Sequence, residues 1–215
     1  MKKLVLLILI LGINSSRAAE PIAGWGNIKF GMSAAEAKAV ATAEGREVAT
    51  ECSPDVSPPP YDACALRFHE TVAGIDWAIW TYFMPGAGVG KIDLFVSNGE
   101  FENAYRSYKD ALSNKYGTGT EETLSNVVAC QEVQRQKAAG QDTRYVSWIA
   151  VTGASYQIAA TGGSIQLIYK VLSICSAADE SIRTWFEQGN RTRFMLGSRL
   201  EITYVRQIAI PSSKF

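Results

Sequence analysis

Apolar and polar positions change period several times along this chain, and each change marks an element. Between Ser97 and Gly117 the residues Phe101, Ala104, Tyr105, Tyr108, Ala111, Leu112 and Tyr116 recur at three- and four-residue steps. That spacing lines them along one face of a 3.6-residue helix, with Asn103, Arg106, Lys109, Asp110 and Ser113 on the other. Ser97 and Glu100 read as a capping box, and Gly117 as a left-handed helix stop. An earlier helix is expected over 34–44, opened by Ser33 with Glu36 and closed by Gly45.

Period two governs two other regions. Leu66 and Phe68 alternate with Arg67 and His69, Ile75 to Met84 is almost wholly apolar, and Ile92, Leu94 and Val96 alternate with Lys91 and Asp93. Three antiparallel strands follow, with turns near Ala73-Gly74 and in Pro85-Gly86-Ala87-Gly88. The pattern returns in Val146, Trp148 and Ala150, in Tyr156, Ile158 and Ala160, and in Ile165, Leu167, Tyr169 and Val171, with a turn at Gly162-Gly163. Residues 19–26 read as a tether, 177–188 as a third helix and 200–210 as a closing strand, while 118–144 shows no decisive period. The expected fold is therefore α+β, helices packed on antiparallel sheet in two similar helix-plus-three-strand units over 19–97 and 98–215. Each unit would place a Trp mid-strand, Trp77 and Trp148, and the helix at 97–117 would give its stripe to the second sheet.

The first eighteen residues change the picture of where the chain works. Lys2 and Lys3 precede an apolar run from Leu4 to Ile13, and Ser16 and Ala18 are small residues placed for cleavage after Ala18. This reads as a bacterial secretory signal peptide, since a membrane span needs about twenty apolar residues. Periplasmic or secreted localisation is expected, with no stable membrane insertion after cleavage. Losing Lys2, Lys3 and Arg17 turns 21 basic residues into 18 against 21 acidic ones. A mildly acidic chain gives no overall attraction to nucleic acid. Cys52, Cys64, Cys130 and Cys175 form an even set, for which an exported chain implies disulfides. Three pairings exist, of which Cys52 with Cys64 and Cys130 with Cys175 are favoured.

Motifs for catalysis fail on inspection. His69 is the one histidine, and His69-Glu70-Thr71-Val72-Ala73 lacks the second histidine of a zinc protease. Gly162-Gly163-Ser164-Ile165-Gln166 does not end as a hydrolase elbow should, and Gly86-Ala87-Gly88-Val89-Gly90 leads into a strand where a phosphate cradle needs a helix. No catalytic residue, metal or cofactor is expected. The alternative is an envelope hydrolase using a carboxylate pair drawn from Asp76, Asp93, Glu100 and Glu102 in a cleft between the units.

Aromatic residues give the better lead. The strand 75–84 is apolar on both sides, so a face left uncovered by helices would offer Trp80 and Tyr82, with Phe95, to a partner. Arg191 and Arg193, with Arg199 and Arg206, form a local basic cluster suited to an acidic partner.

The stretch Ile28-Lys29-Phe30-Gly31-Met32-Ser33-Ala34-Ala35-Glu36-Ala37 resembles the opening of many small exported bacterial alpha-plus-beta proteins, and Lys115-Tyr116-Gly117 resembles their helix end. Such modules are similar in layout to the outer-membrane assembly lipoprotein BamE and to the tandem beta-lactamase inhibitory protein. The resemblance covers a tenth to a fifth of the chain, and rests on helix-start and helix-stop chemistry. It implies a non-catalytic, partner-binding or inhibitory module whose partner is another envelope protein. This chain lacks the lipid-anchor Cys of BamE, and no functional residue carries over.

Overall fold

The computed structural model describes residues 19–53, 57, 60–97, 99–143, 148–185 and 196–207. The expected signal peptide lies outside them. In chain order the elements are β1 (Gly24–Trp25), β2 (Ile28–Lys29), α1 (Ala34–Ala43), β3 (Ala49–Cys52), β4 (Cys64–Val72), β5 (Ile75–Met84) and β6 (Gly88–Ser97). They continue with α2 (Glu102–Tyr116), β7 (Thr120–Ser125), α3 (Val127–Ala138), β8 (Ile149–Ala160), β9 (Gly163–Ile174), α4 (Glu180–Trp185) and β10 (Gly197–Arg206).

The expected α+β fold of two helix-on-sheet units is not what forms. The described chain is mostly strand, and its four helices are short. Eight strands make one continuous antiparallel sheet in the order β3-β4-β5-β6-β10-β9-β8-β7, beside a two-stranded ladder of β1 with β2. Two separate sheets would each have left an inner edge of unpaired backbone groups, at β6 and at β9. β10 removes both edges. It pairs with β6 from Arg199↔Ser97 to Val205↔Lys91, and with β9 from Gly197↔Leu172 to Arg206↔Gly163.

This pairing also explains a local miss. Ser97 does not cap α2, because the β6–β10 ladder holds it opposite Arg199. The helix starts at Glu102 instead, with Phe101 as N-cap and no side-chain cap bond. Nothing competes for Ser33, and there the capping box closes: Ser33 Oγ accepts from the Glu36 amide at 3.3 Å, and the Glu36 carboxylate accepts from the Ser33 amide at 2.8 Å.

Strand alternation sends one set of side chains into the core. Leu66 and Phe68 on β4, Trp77, Ile79 and Phe83 on β5, Ile92 and Leu94 on β6, Leu200, Ile202 and Tyr204 on β10, Ile165 and Leu167 on β9, and Tyr156 and Ile158 on β8 are all buried in one cluster. Ala37 and Ala41 of α1 and Tyr105, Leu112 and Tyr116 of α2 belong to it as well. The α2 stripe is not confined to the second half of the sheet. Tyr108 meets Trp77 edge-on at 5.4 Å, accepts its indole N–H at 3.3 Å, and donates to the Val72 carbonyl at 3.2 Å. Nor is the N-terminal stretch a loose tether: Ile22 is buried in the cluster, and its amide bonds the Thr161 carbonyl at 2.8 Å.

A second cluster joins α3 and α4 to the far end of β8 and β9. It contains Val133, Trp148, Ile149, Cys175, Ala178 and Ile182, with Leu172 and Ile174 packed against it. Trp148 is thus no counterpart of Trp77, since it precedes β8 and serves this satellite. The polar stretch without a clear period resolves into β7 and α3. Both expected disulfides are present, Cys52–Cys64 across the β3–β4 pair and Cys130–Cys175 from α3 to the end of β9.

Candidate binding face

Among the described residues, the alternation that fills the core leaves the opposite face of the sheet without a helix over its middle. One row of this face crosses all eight strands: Ala49, Arg67, Trp80, Asp93, Thr203, Gln166, Gln157 and Thr120 are successive register partners. The next row runs Ala65, Tyr82, Lys91, Val205, Ser164 and Ala159. On the other side His69, Ala78, Phe95, Glu201, Ile168 and Ser155 follow one another. Trp80, Tyr82 and Phe95 are half-buried. The structure therefore places the three aromatics named from sequence on one side of two adjacent strands.

Each of the two larger rings on β5 sits against a cation. The Arg67 guanidinium lies 5.5 Å from the Trp80 ring centre and its Nη1 donates to Glu51 Oε1 at 3.0 Å. Lys91 Nζ lies 4.9 Å from the Tyr82 ring and 2.6 Å from an Asp93 oxygen. A cation over an aromatic face is attracted by the ring quadrupole, and the pairing holds both side chains in place. Tyr61 completes the cluster, 5.6 Å from Tyr82. It is carried there by the segment between Cys52 and Cys64, which the disulfide ties down. Beside Tyr61, Gly90 leaves room for the Met84 side chain, which a Cβ at this position would overlap. Burial pushes both phenols above their ordinary pKa, and at Tyr82 the Asp93 charge and hydrogen bond add to it. Both remain protonated donors at neutral pH.

The face dips where β6, β10 and β9 meet. Lys91, Asp93, Phe95, Ile168, Arg199 and Glu201 are among the residues lining a depression of about 370 Å³. Lys170 Nζ is 2.8 Å from a Glu201 oxygen. By strand alternation Leu172 and Ile174 continue the Ile168 and Lys170 side of β9, so α3 and α4 border one end of the face. The stapled segment with Tyr61 borders the diagonally opposite end, beside the end of β5.

Arg191 and Arg193 lie outside the described residues. Asp76, Asp93, Glu100 and Glu102 are not brought together. Asp93 is on this face with Lys91, Asp76 pairs with the exposed His69 at 3.7 Å, Glu100 is exposed before α2, and Glu102 on α2 pairs with Arg106. Among the described residues no cluster of three or more His, Cys, Asp and Glu is placed to hold a metal. Sequence reasoning passed over Tyr61, Lys170 and Glu201. The alternation of Arg67 and Lys91 with core residues did mark both for the face of Trp80 and Tyr82, whereas nothing local signals that Tyr61 folds back on β5.

No protein-family model, curated protein or solved structure matches this chain. What the face does therefore follows from its own chemistry. It combines aromatic anchors, arginine and mixed charge on a broad, shallow surface, the composition of a protein interface rather than of a deep small-molecule site.

Proposed function

We propose that this chain is an exported, non-catalytic interaction or inhibitory module that binds another envelope protein through the open face of its sheet. The observation that carries this reading is the grouping of Trp80, Tyr82, Phe95 and Tyr61 with Arg67 and Lys91 on one uncovered face. Trp, Tyr and Arg are the residue types that dominate binding energy at protein interfaces. The paired disulfides fit an oxidising compartment, extracellular or periplasmic, and the periplasm is the one we favour. Among the described residues no helix is long and apolar enough to cross a membrane. The resemblance of the stretch around Gly31 and Glu36 to small exported modules supports the same reading.

Affinity capture from a periplasmic extract tests it. The wild-type chain is expected to retain a discrete partner that Trp80→Ala/Tyr82→Ala loses. Capture of the same partner by the double variant, or of none by the wild type, removes the support.

A further inference from the structure

Lys91, Asp93, Arg199 and Glu201 line the central depression, and Lys170 beside it brings a third positive charge against two carboxylates. Lys91 is matched by Asp93 at 2.6 Å and Lys170 by Glu201 at 2.8 Å, which leaves Arg199. Its guanidinium approaches only Glu201, at 3.8 Å, a carboxylate that Lys170 already holds. Its Nε is shielded from solvent and has no hydrogen-bond partner among the described residues. The side chain is only 19% exposed. A guanidinium has five N–H donors in a planar fork, and removing them from water without acceptors is unfavourable. The group that satisfies such a fork best is a carboxylate, which takes two parallel N–H bonds.

The surroundings narrow the source of that carboxylate. Phe95 and Ile168 flank Glu201 on the neighbouring strands and present apolar surface beside the guanidinium. Arg199 itself lies between Ser97 and Lys170 in the adjacent row. An aliphatic stem ending in a carboxylate matches this sequence of surfaces. We propose that the depression receives an aspartate or glutamate side chain on a loop of the partner protein, clamped by Arg199. This rests on the open face being the binding face, and supplies the chemistry of the contact at its centre.

The test uses the full mature chain as bait for a phage library of disulfide-cyclised random heptapeptides. Selected peptides are expected to carry Asp or Glu, and to lose about 10- to 100-fold in affinity against Arg199→Gln, the range of a charge-assisted hydrogen bond. Arg199→Lys, which keeps the charge but not the fork, should recover only part of that, and Arg106→Gln on α2 should change nothing. Selection of basic peptides, which would answer Asp93, overturns the proposal. So do acidic peptides indifferent to Arg199→Gln, or a library that yields no binder. If binding depends on Trp80 and Tyr82 but not on Arg199, the carboxylate clamp fails while the open face stands as the binding face. If it depends on neither, both fail.

Discussion

The two faces of β5 use the same residue types for opposite ends. On the core side Trp77 is fully buried, and its indole N–H is spent on the Tyr108 hydroxyl. Three residues on, Trp80 is half-buried, and its ring lies under the Arg67 guanidinium. Both belong to a strand that is almost wholly apolar, so hydrophobicity does not separate core from open face. What separates them is the neighbour: an internal hydrogen bond closes a side chain into the fold, whereas a cation over a ring leaves charge at a half-buried surface. The strongest way to break this comparison is to truncate each tryptophan. Trp77→Ala should cost about 3–5 kcal/mol in unfolding free energy, the usual range for an aromatic removed from a core. Trp80→Ala should cost less than half of that by urea titration while abolishing partner capture. Equal losses of stability would mean that the second face is a core layer and not a binding surface.

Much of this was legible in local pattern. Alternation located β4, β5 and β6, and with β5 apolar on both sides it already implied two differently used faces. Ser33, Glu36 and Gly45 bounded α1 correctly because capping is decided within a few residues. The cysteine pairs also came out as favoured. Sheet order did not, because the pairing of β10 with β6 joins residues about a hundred positions apart and leaves no trace in either strand's period. Ser97 shows the same limit from the other side. Its capping signal was sound locally and was overridden by a ladder partner, Arg199, from the end of the chain. Tyr61 reaches the open face on a segment tied down by a disulfide, and its neighbour there, Tyr82, is apparent only once the two segments are adjacent.

The comparison sharpens at Thr81, the polar residue of β5 on its core side. By register it stands between Leu66 and Ile92, it is completely buried, and its hydroxyl has no hydrogen-bond partner among the described residues. A hydroxyl removed from water without compensation destabilises the fold, and Val has nearly the same shape without it. Thr81→Val should therefore raise stability by about 1 kcal/mol, seen as a rise of about 2–4 °C in Tm for a chain of this size. The equivalent exchange on the open face, Thr203→Val, should leave Tm unchanged within error. Destabilisation by Thr81→Val would show that the hydroxyl is satisfied and the core side less dry than its neighbours indicate.

The smallest effect belongs to the margin where the core side meets solvent. At β7, Glu121 accepts from Lys109 Nζ at 2.7 Å and from the Tyr105 hydroxyl at 2.8 Å, which links α2 to the outermost strand. The bond from Lys109, and after it the one from Tyr105, holds the Glu121 carboxyl below its usual pKa, while the bond to Glu121 raises Lys109. A depressed carboxylate contributes stability that is complete above its unfolded pKa of about 4.3 and is lost as pH falls through the lower folded value. A raised lysine contributes fully below its unfolded pKa of about 10.4 and loses it as pH rises through the folded value. The difference in stability between wild type and Glu121→Gln should accordingly be flat from about pH 5 to 10 and shrink towards about pH 3. Both side chains are substantially exposed, at 41% and 30%, so it should also shrink in 0.5 M salt and stay below the effect at Thr81. A difference that grew as pH fell would mean that the carboxyl is held in its protonated form, and that this margin is closed as the core is rather than open like the opposite face.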